Sequence, residues 1–186
     1  MLNRELALEM LRRWADGAER YWYEIPGRPG EGCYGAGYNS WGVQTNQKYV
    51  AAMAALAAEG GARERERALA GLRFSLASHV SGSGACTDGT QWGHTWISSL
   101  GVERMMYGVR LLEPWLTTGD RAALRAMLTS EAAWVMAGHK RGAAQGIVAN
   151  RWASSGMNAP ESNLWNGAAL WRAAAMFPDD PQAAAW

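Results

Sequence analysis

Apolar residues recur at the spacing of an α-helix along nearly the whole chain, and the helices they imply alternate in character. ELALEMLRRWADGAERYW (5–22) places Leu6, Met10, Leu11, Trp14 and Ala18 on one stripe. A Gly/Pro loop, PGRPGEGCYGAGYNS, follows. WGVQTNQKYVAAMAALAAEG (41–60) reads as a second helix, with Asn39 or Ser40 as N-cap and Gly60 just past its end. ARERERALAGLRFSLASHV (62–80) is a third, charged first and apolar later, and the loop SGSGACTDGTQWGH leads to a fourth, TWISSLGVERMMYGVRLLEPWL (95–116). The fifth (120–140) opens at Asp120 as N-cap, and the Gly/Ala-rich stretch 141–160 leads to a sixth, ESNLWNGAALWRAAAMF (161–177). Nothing alternates with period two over a useful length, so the fold class read from the sequence is all-α.

Helices two, four and six are rich in Ala, Gly and Met with almost no polar face, which predicts burial on all sides. Helices three and five carry the charges and are predicted to form an outer layer. Inner and outer helices alternating along the chain describe stacked helical hairpins, an (α/α) toroid or part of one with about three hairpins, in a single domain over 1–186. Three hairpins are half of a six-hairpin ring. The expectation is therefore an apolar edge covered by a partner copy or by a further domain.

The openings of the inner helices resemble one another. NSWGVQTNQKYV, HTWISSLGVERM and SNLWNGAALWRA each begin with a polar residue and a tryptophan (Trp41, Trp96, Trp165), after a glycine-containing polar loop. Parallel inner helices would bring these three mouths to one end, as a cleft with aromatic walls and polar contents. The chain has 11 Trp and 6 Tyr beside 2 Phe, an excess of side chains that pair a flat apolar face with a hydrogen-bonding edge. Such faces suit sugar rings, although half or more of the tryptophans are expected in the core.

Several classes are set aside by composition. A net charge of +1 indicates neither a nucleic-acid surface nor an acidic tail. The longest apolar runs are too short to span a bilayer. The first 22 residues have no uninterrupted apolar stretch of signal-peptide type, which leaves localisation open, periplasmic or secreted if a leader has been removed. Cys33 and Cys86 lack metal-ligand spacing and are either a disulfide or two free thiols. A P-loop, a zinc signature and a nucleophilic triad are absent from the sequence, so no metal and no cofactor are expected.

The alternating hairpins with GYNSWG, GHTW and NAPESNLWNGAALWRAA resemble the (α/α) toroid of heparinase II/III-like and alginate-lyase-like polysaccharide lyases. The resemblance implies a polysaccharide or oligosaccharide substrate cleaved by β-elimination, with Asn, His and Tyr in catalytic roles. The residues supply the chemistry: proton abstraction beside a uronate carboxylate needs a base and neutral or cationic donors for the developing charge. His94 is the candidate base, Tyr107 or Tyr38 the acid, Arg151 the cation, and Asn158, Asn163 and Asn166 the donors. Tyr38, Asn39, Trp41, Trp92, Trp96, Asn158, Trp165 and Asn166 are the candidate substrate-binding set. His94 serves equally well as a capping-region residue, whereas His79 and His139, at helix ends, suit the helix dipole. Glu161 suits a first helical turn, or, paired with Asp88, a glycoside hydrolase with two carboxylates across the cleft. Asp88-Gly89 is also an ordinary turn. A non-catalytic helical-repeat module binding glycan or peptide needs the tryptophans alone.

Overall fold

The computed structural model describes residues 3–35, 40–95, 97–140 and 160–186, with the side chains of 40, 41, 138–140 and 160–163 outside the description. Six helices lie among the described residues: α1 (Arg4–Ala18), α2 (Ser40–Ala58), α3 (Ala62–Ala77), α4 (Ser98–Leu112), α5 (Thr118–Lys140) and α6 (Pro160–Met176). The chain is mostly helical, as its periodicity implies, and no described helix is long and apolar enough to cross a membrane.

The departure is a two-stranded antiparallel ribbon, β1 (Trp22–Glu24) with β2 (Gly32–Tyr34), in register Trp22↔Tyr34, Tyr23↔Cys33 and Glu24↔Gly32. The helical stripe was expected to run to residue 22 and residues 26–40 to be loop. Three-residue strands are too short for period two to show. They are held from outside, because the Tyr34 amide donates to the Asn46 side-chain oxygen at 2.9 Å. Cys33 and Cys86 are buried free thiols, and burial pushes the Cys33 thiol up to about 12.

Contacts between helices give their directions. Asn46 of α2 reaches Gly71 and Ser75 of α3, while the amide of Gly61, at the start of α3, donates to the Leu56 carbonyl, so these two helices are antiparallel. Gln47 of α2 faces Gly101 of α4 and Ala51 faces Gly108, so α2 and α4 are parallel. Ser99 of α4 bonds Asn166 of α6, and further along both helices Arg110 and Glu113 line a groove with Arg172 and Met176, so α4 and α6 are parallel too. Arg73 pairs with Asp120 and His79 with Glu131, which makes α3 and α5 parallel in the other layer. α2 packs on α3 and α4, α4 on α6, and α5 on α3 and α6.

The core runs through Tyr49, Met53, Leu72, Met105, Leu112 and Leu124, all fully buried. Two glycines make the α2–α4 approach possible. A Cβ at Gly108 would lie 2.7 Å from the Ala51 Cα, and one at Gly101 would collide with the Gln47 amide. Helix α2 is largely buried as expected, whereas α4 keeps an exposed edge at Arg104, Tyr107, Arg110 and Leu111. α6 is not buried on all sides either: Leu164 is 71% exposed and Trp171 57%, because only the Asn166, Ala169, Leu170 and Ala173 side faces α4 and α5.

Two further expectations are corrected. α1 buries Ala15 and Ala18, with Leu8 and Leu11 against the core, whereas Leu6, Met10 and Trp14 of the anticipated stripe face outward. Among the described tryptophans Trp92 is buried in the core and Trp22, Trp115, Trp134 and Trp186 pack partly buried against it, whereas Trp14 and Trp171 are exposed. The charges of α3 are also not simply solvated. Arg63 bonds Asp16 at 2.7 Å, and Arg67 bonds Glu19 and lies 4.4 Å over the Trp22 ring, fastening α3 to the end of α1.

At α5 the N-cap is Thr117 rather than Asp120. The Asp120 amide donates to Thr117 Oγ1 at 3.1 Å and the Thr117 amide donates back to Asp120 Oδ2 at 3.0 Å, a reciprocal capping box. Arg73 adds two bonds of 2.9 Å to the same carboxylate. The Arg73 guanidinium, aided by the Thr117 donors against partial burial, holds the Asp120 carboxyl at about 2 instead of 3.8. A lowered native value means stability that is present above the unfolded value and lost as pH falls through the native one. The melting-temperature gap between wild type and Asp120→Asn should therefore be constant above about pH 5 and close between about pH 4 and pH 2. Asn46→Ala removes three buried hydrogen bonds at once and should destabilise the chain by about 2–4 kcal/mol in urea unfolding.

Candidate functional site

The loop from α3 to α4 builds the most unusual chemistry among the described residues. It begins with Ser78 and His79, which form a short parallel bridge with Trp92: the Trp92 amide donates to the Ser78 carbonyl at 3.1 Å and the Val80 amide to the Trp92 carbonyl at 2.8 Å. The Trp92 indole N–H donates to the Ser75 carbonyl at 2.7 Å, which anchors the bridge on α3. The Gln91 amide donates to the carbonyls of His79, Gly82 and Gly84, closing the intervening turn. Gly93 follows with φ +122, and a Cβ there would sit 2.6 Å from His79 Nε2. Only glycine lets the chain pass this close to the imidazole.

Glu131, on α5, meets this loop. Its Oε1 accepts from His79 Nε2 at 2.9 Å and from the His94 backbone amide at 2.7 Å. His94 itself has φ 54, the only left-handed non-glycine conformation among the described residues. Holding a non-glycine residue there costs of the order of 1 kcal/mol or more, and the Glu131 bond supplies part of the restraint. The His94 ring bonds Ser130 Oγ through Nε2 at 2.9 Å and stacks parallel on Trp134 at 5.8 Å between centroids. Ser130, Glu131 and Trp134 stand at i, i+1 and i+4 of α5, so one helix face fixes both the backbone and the ring of His94.

His79 and Glu131 are fully buried, whereas His94 is partly exposed. The Ser81 amide donates to His79 Nδ1 at 3.0 Å, which places the ring proton on Nε2, toward Glu131. Glu131 Oε2 has no hydrogen-bond partner among the described residues. One ligand atom each from His79, His94 and Glu131 lies within 4.8 Å of the other two, so among the described residues these three could hold a metal ion.

The residues singled out from the sequence fall into three groups. His94 is at the centre of the site. Trp92 and Asn166 are buried and occupied inside the protein: Trp92 packs edge-on against His79 at 4.7 Å, and Asn166 Oδ1 accepts from Ser99 at 2.7 Å. Neither presents a surface to substrate, a correction to the binding set. Tyr107 is 56% exposed beside Arg172, nine residues into α4 and thus about 13 Å of helix rise away from its start. It is removed from the His94 end of α4. Trp165 is half-buried in the second turn of α6. Tyr38, Asn39, Trp96, Arg151 and Asn158 lie outside the described residues, as do the side chains of Trp41, Glu161, Asn163 and His139.

Asp88 occupies the turn its sequence suggests. Its Oδ1 accepts from the Thr90 amide and hydroxyl, and these bonds hold its carboxyl below the usual range. Glu103 pairs at 3.1 Å with its neighbour Arg104. Sequence reading missed Glu131 and underrated His79, which is paired inside the protein instead of resting on a helix dipole. A signal for Glu131 exists: Leu124, Leu128, Glu131 and Val135 share one helical stripe, and a lone carboxylate on an otherwise apolar stripe is a buried one.

No family model, curated protein or solved structure matches the chain.

The strain at His94 is measurable. His94→Gly and His94→Ala lose the same imidazole contacts, but only glycine adopts φ 54 freely. In urea unfolding the glycine variant should be the more stable of the two by about 1 kcal/mol. Equal stabilities would mean that the backbone relaxes once the ring is gone.

Proposed function

We propose that this chain is about three hairpins of an (α/α) toroid and that it cleaves an acidic, uronate-containing glycan by β-elimination, with His94 as the base. The observation that carries the reading is the conformation of His94: a left-handed backbone held by a buried carboxylate, and a partly exposed ring held by Ser130 and Trp134. A residue fixed this firmly in an unfavourable conformation, with an accessible imidazole, suits proton transfer better than capping. With Nε2–H donated to Ser130 Oγ, Nδ1 keeps its lone pair for the proton next to the uronate carboxylate.

The parallel directions of α2, α4 and α6 support the substrate class. Their parallel directions bring their N-termini toward one end, where the helix dipoles favour an anion. Asn163 and Asn158, at the entrance to α6, are the proposed neutral donors for the developing charge, and Arg151 its cation. Tyr38 in place of Tyr107 is the proposed acid, given the position of Tyr107 on α4. The hydrolase alternative draws less support: the Asp88 carboxylate is engaged by Thr90 in an exposed turn and poorly suited to keep a proton as general acid.

The test records ultraviolet absorbance of the unsaturated uronate and, separately, new reducing ends on a panel of acidic and neutral polysaccharides. Both signals, abolished in His94→Ala and strongly lowered in Asn163→Ala while each variant keeps its melting temperature within a few degrees, are the expected result. Reducing ends without absorbance would replace the lyase by a hydrolase, and binding without either would leave a glycan-binding module.

A further inference from the structure

The buried carboxylate of Glu131 has a charge problem that its neighbours do not solve. It is 0% exposed, and an ionised group in such a place needs a compensating charge or a full set of donors. Only Oε1 is served, by two donors, while Oε2 has none among the described residues. The Ser81 amide donates to His79 Nδ1, so His79 meets Glu131 through Nε2. No arginine or lysine pairs with Glu131 among the described residues. A buried acid flanked by two imidazoles and short of a positive charge has the composition of a cation site.

We propose that His79, Glu131 and His94 bind a divalent first-row transition ion, zinc foremost. Two imidazoles and one carboxylate are the ligand types that such ions select, and three protein ligands leave a coordination position open for water or a ligand. The open side faces outward, because His94 is partly exposed while His79 and Glu131 form the floor. Bonds of about 2.1 Å set tetrahedral ligand atoms roughly 3.4 Å apart, so a triad spread over at most 4.8 Å closes on an ion by about 1 Å. That movement is available to the loop carrying His79 and His94, which Gly93 lets pass against the imidazole.

Binding has a definite proton balance. His79 ligates through Nε2, so the proton there transfers to Nδ1, where Ser81 Oγ at 2.7 Å accepts it as the outer partner of a ligating histidine. The Ser81 amide releases Nδ1 and turns to water, which its exposed position allows. The His94 backbone amide keeps Oε1 in place, and the ion takes the carboxylate charge that Oε2 leaves uncompensated. The ion and the proposed proton abstraction use the same imidazole, so they are alternative states of His94. The metal site does not rest on the glycan reading.

The experiment strips the full chain with a chelator, then titrates it with Zn²⁺ by calorimetry and with Co²⁺ by visible spectroscopy. Uptake of about one equivalent, with the visible bands of a low-coordinate cobalt site, is expected. His94→Ala and Glu131→Gln should each weaken binding by about tenfold or more, with far-ultraviolet dichroism confirming the fold. His94→Ala carries the test alone if Glu131→Gln fails to fold, since its ring lies at the rim. No stoichiometric uptake by the wild type, uptake retained by folded His94→Ala, or Mg²⁺ bound in preference to Zn²⁺ would each overturn the site. The readout is metal binding itself, so a negative result in the polysaccharide assay leaves it standing, and the converse holds.

Discussion

The side chain of Asn46 holds together parts of the molecule that have no other reason to meet. It is fully buried, its oxygen accepts the Tyr34 amide from β2, and its nitrogen donates to the Gly71 carbonyl and to Ser75 Oγ on α3. An amide has two donors and an acceptor, and here each is used, so a polar group in the core adds specificity without leaving an unsatisfied atom. The connection continues outward. The carbonyl of Ser75 receives the Trp92 indole, the Trp92 backbone pairs with the strand containing His79, and His79 meets Glu131 on the next outer helix. One hydrogen-bonded path thus runs from the ribbon through the first hairpin to the site.

Small residues set the inner layer as firmly as Asn46 sets the outer contact. Gly101 and Gly108 sit seven residues apart on the α4 face turned to α2, and the second of them lets α4 come within van der Waals contact of the Ala51 backbone. Such proximity forces the two helices to lie nearly side by side over several turns. It also carries the parallel arrangement on to α6 through Ser99 and Asn166. The consequence is a gathering of three helix N-termini at one end, the end where α3 delivers its C-terminal loop. Charge distribution and loop chemistry are therefore both consequences of how closely α2 and α4 pack.

The helices of the described residues were legible because each is long enough for its periodicity to show. The ribbon was not, since three residues per strand carry no period and its restraint comes from Asn46, distant in sequence. The facing of α1 was misread because Trp14 and Met10 looked like core, when Ala15 and Ala18 make the contact and the larger side chains pack around its edge. His94 stood out from its setting between tryptophans. Its partner did not, because residues 79, 94 and 131 lie on three separate elements and no motif spacing joins them. Trp92 and Asn166 looked like ligands for the same reason that they are good core residues: both pair an apolar body with a directional polar group.

Glu131 and His94 are best understood together. Burying a carboxylate destabilises the fold, and so does a left-handed histidine, yet each relieves the other, since the amide that His94 presents in this conformation is one of the two donors to Glu131. A sequence selected for stability alone has simpler solutions: a leucine at 131 would continue the apolar stripe of α5, and a glycine at 94 would accept the backbone without strain. That both costly residues stand at one contact, with a third polar group in His79 and a carboxylate oxygen without a partner among the described residues, argues that the contact serves chemistry in addition to packing. The strain is local and the rest of the fold sustains it. The path from Asn46 through Trp92 holds the loop on one side and α5 holds it on the other, so His94 leaves its left-handed conformation only by straining the bond to Glu131.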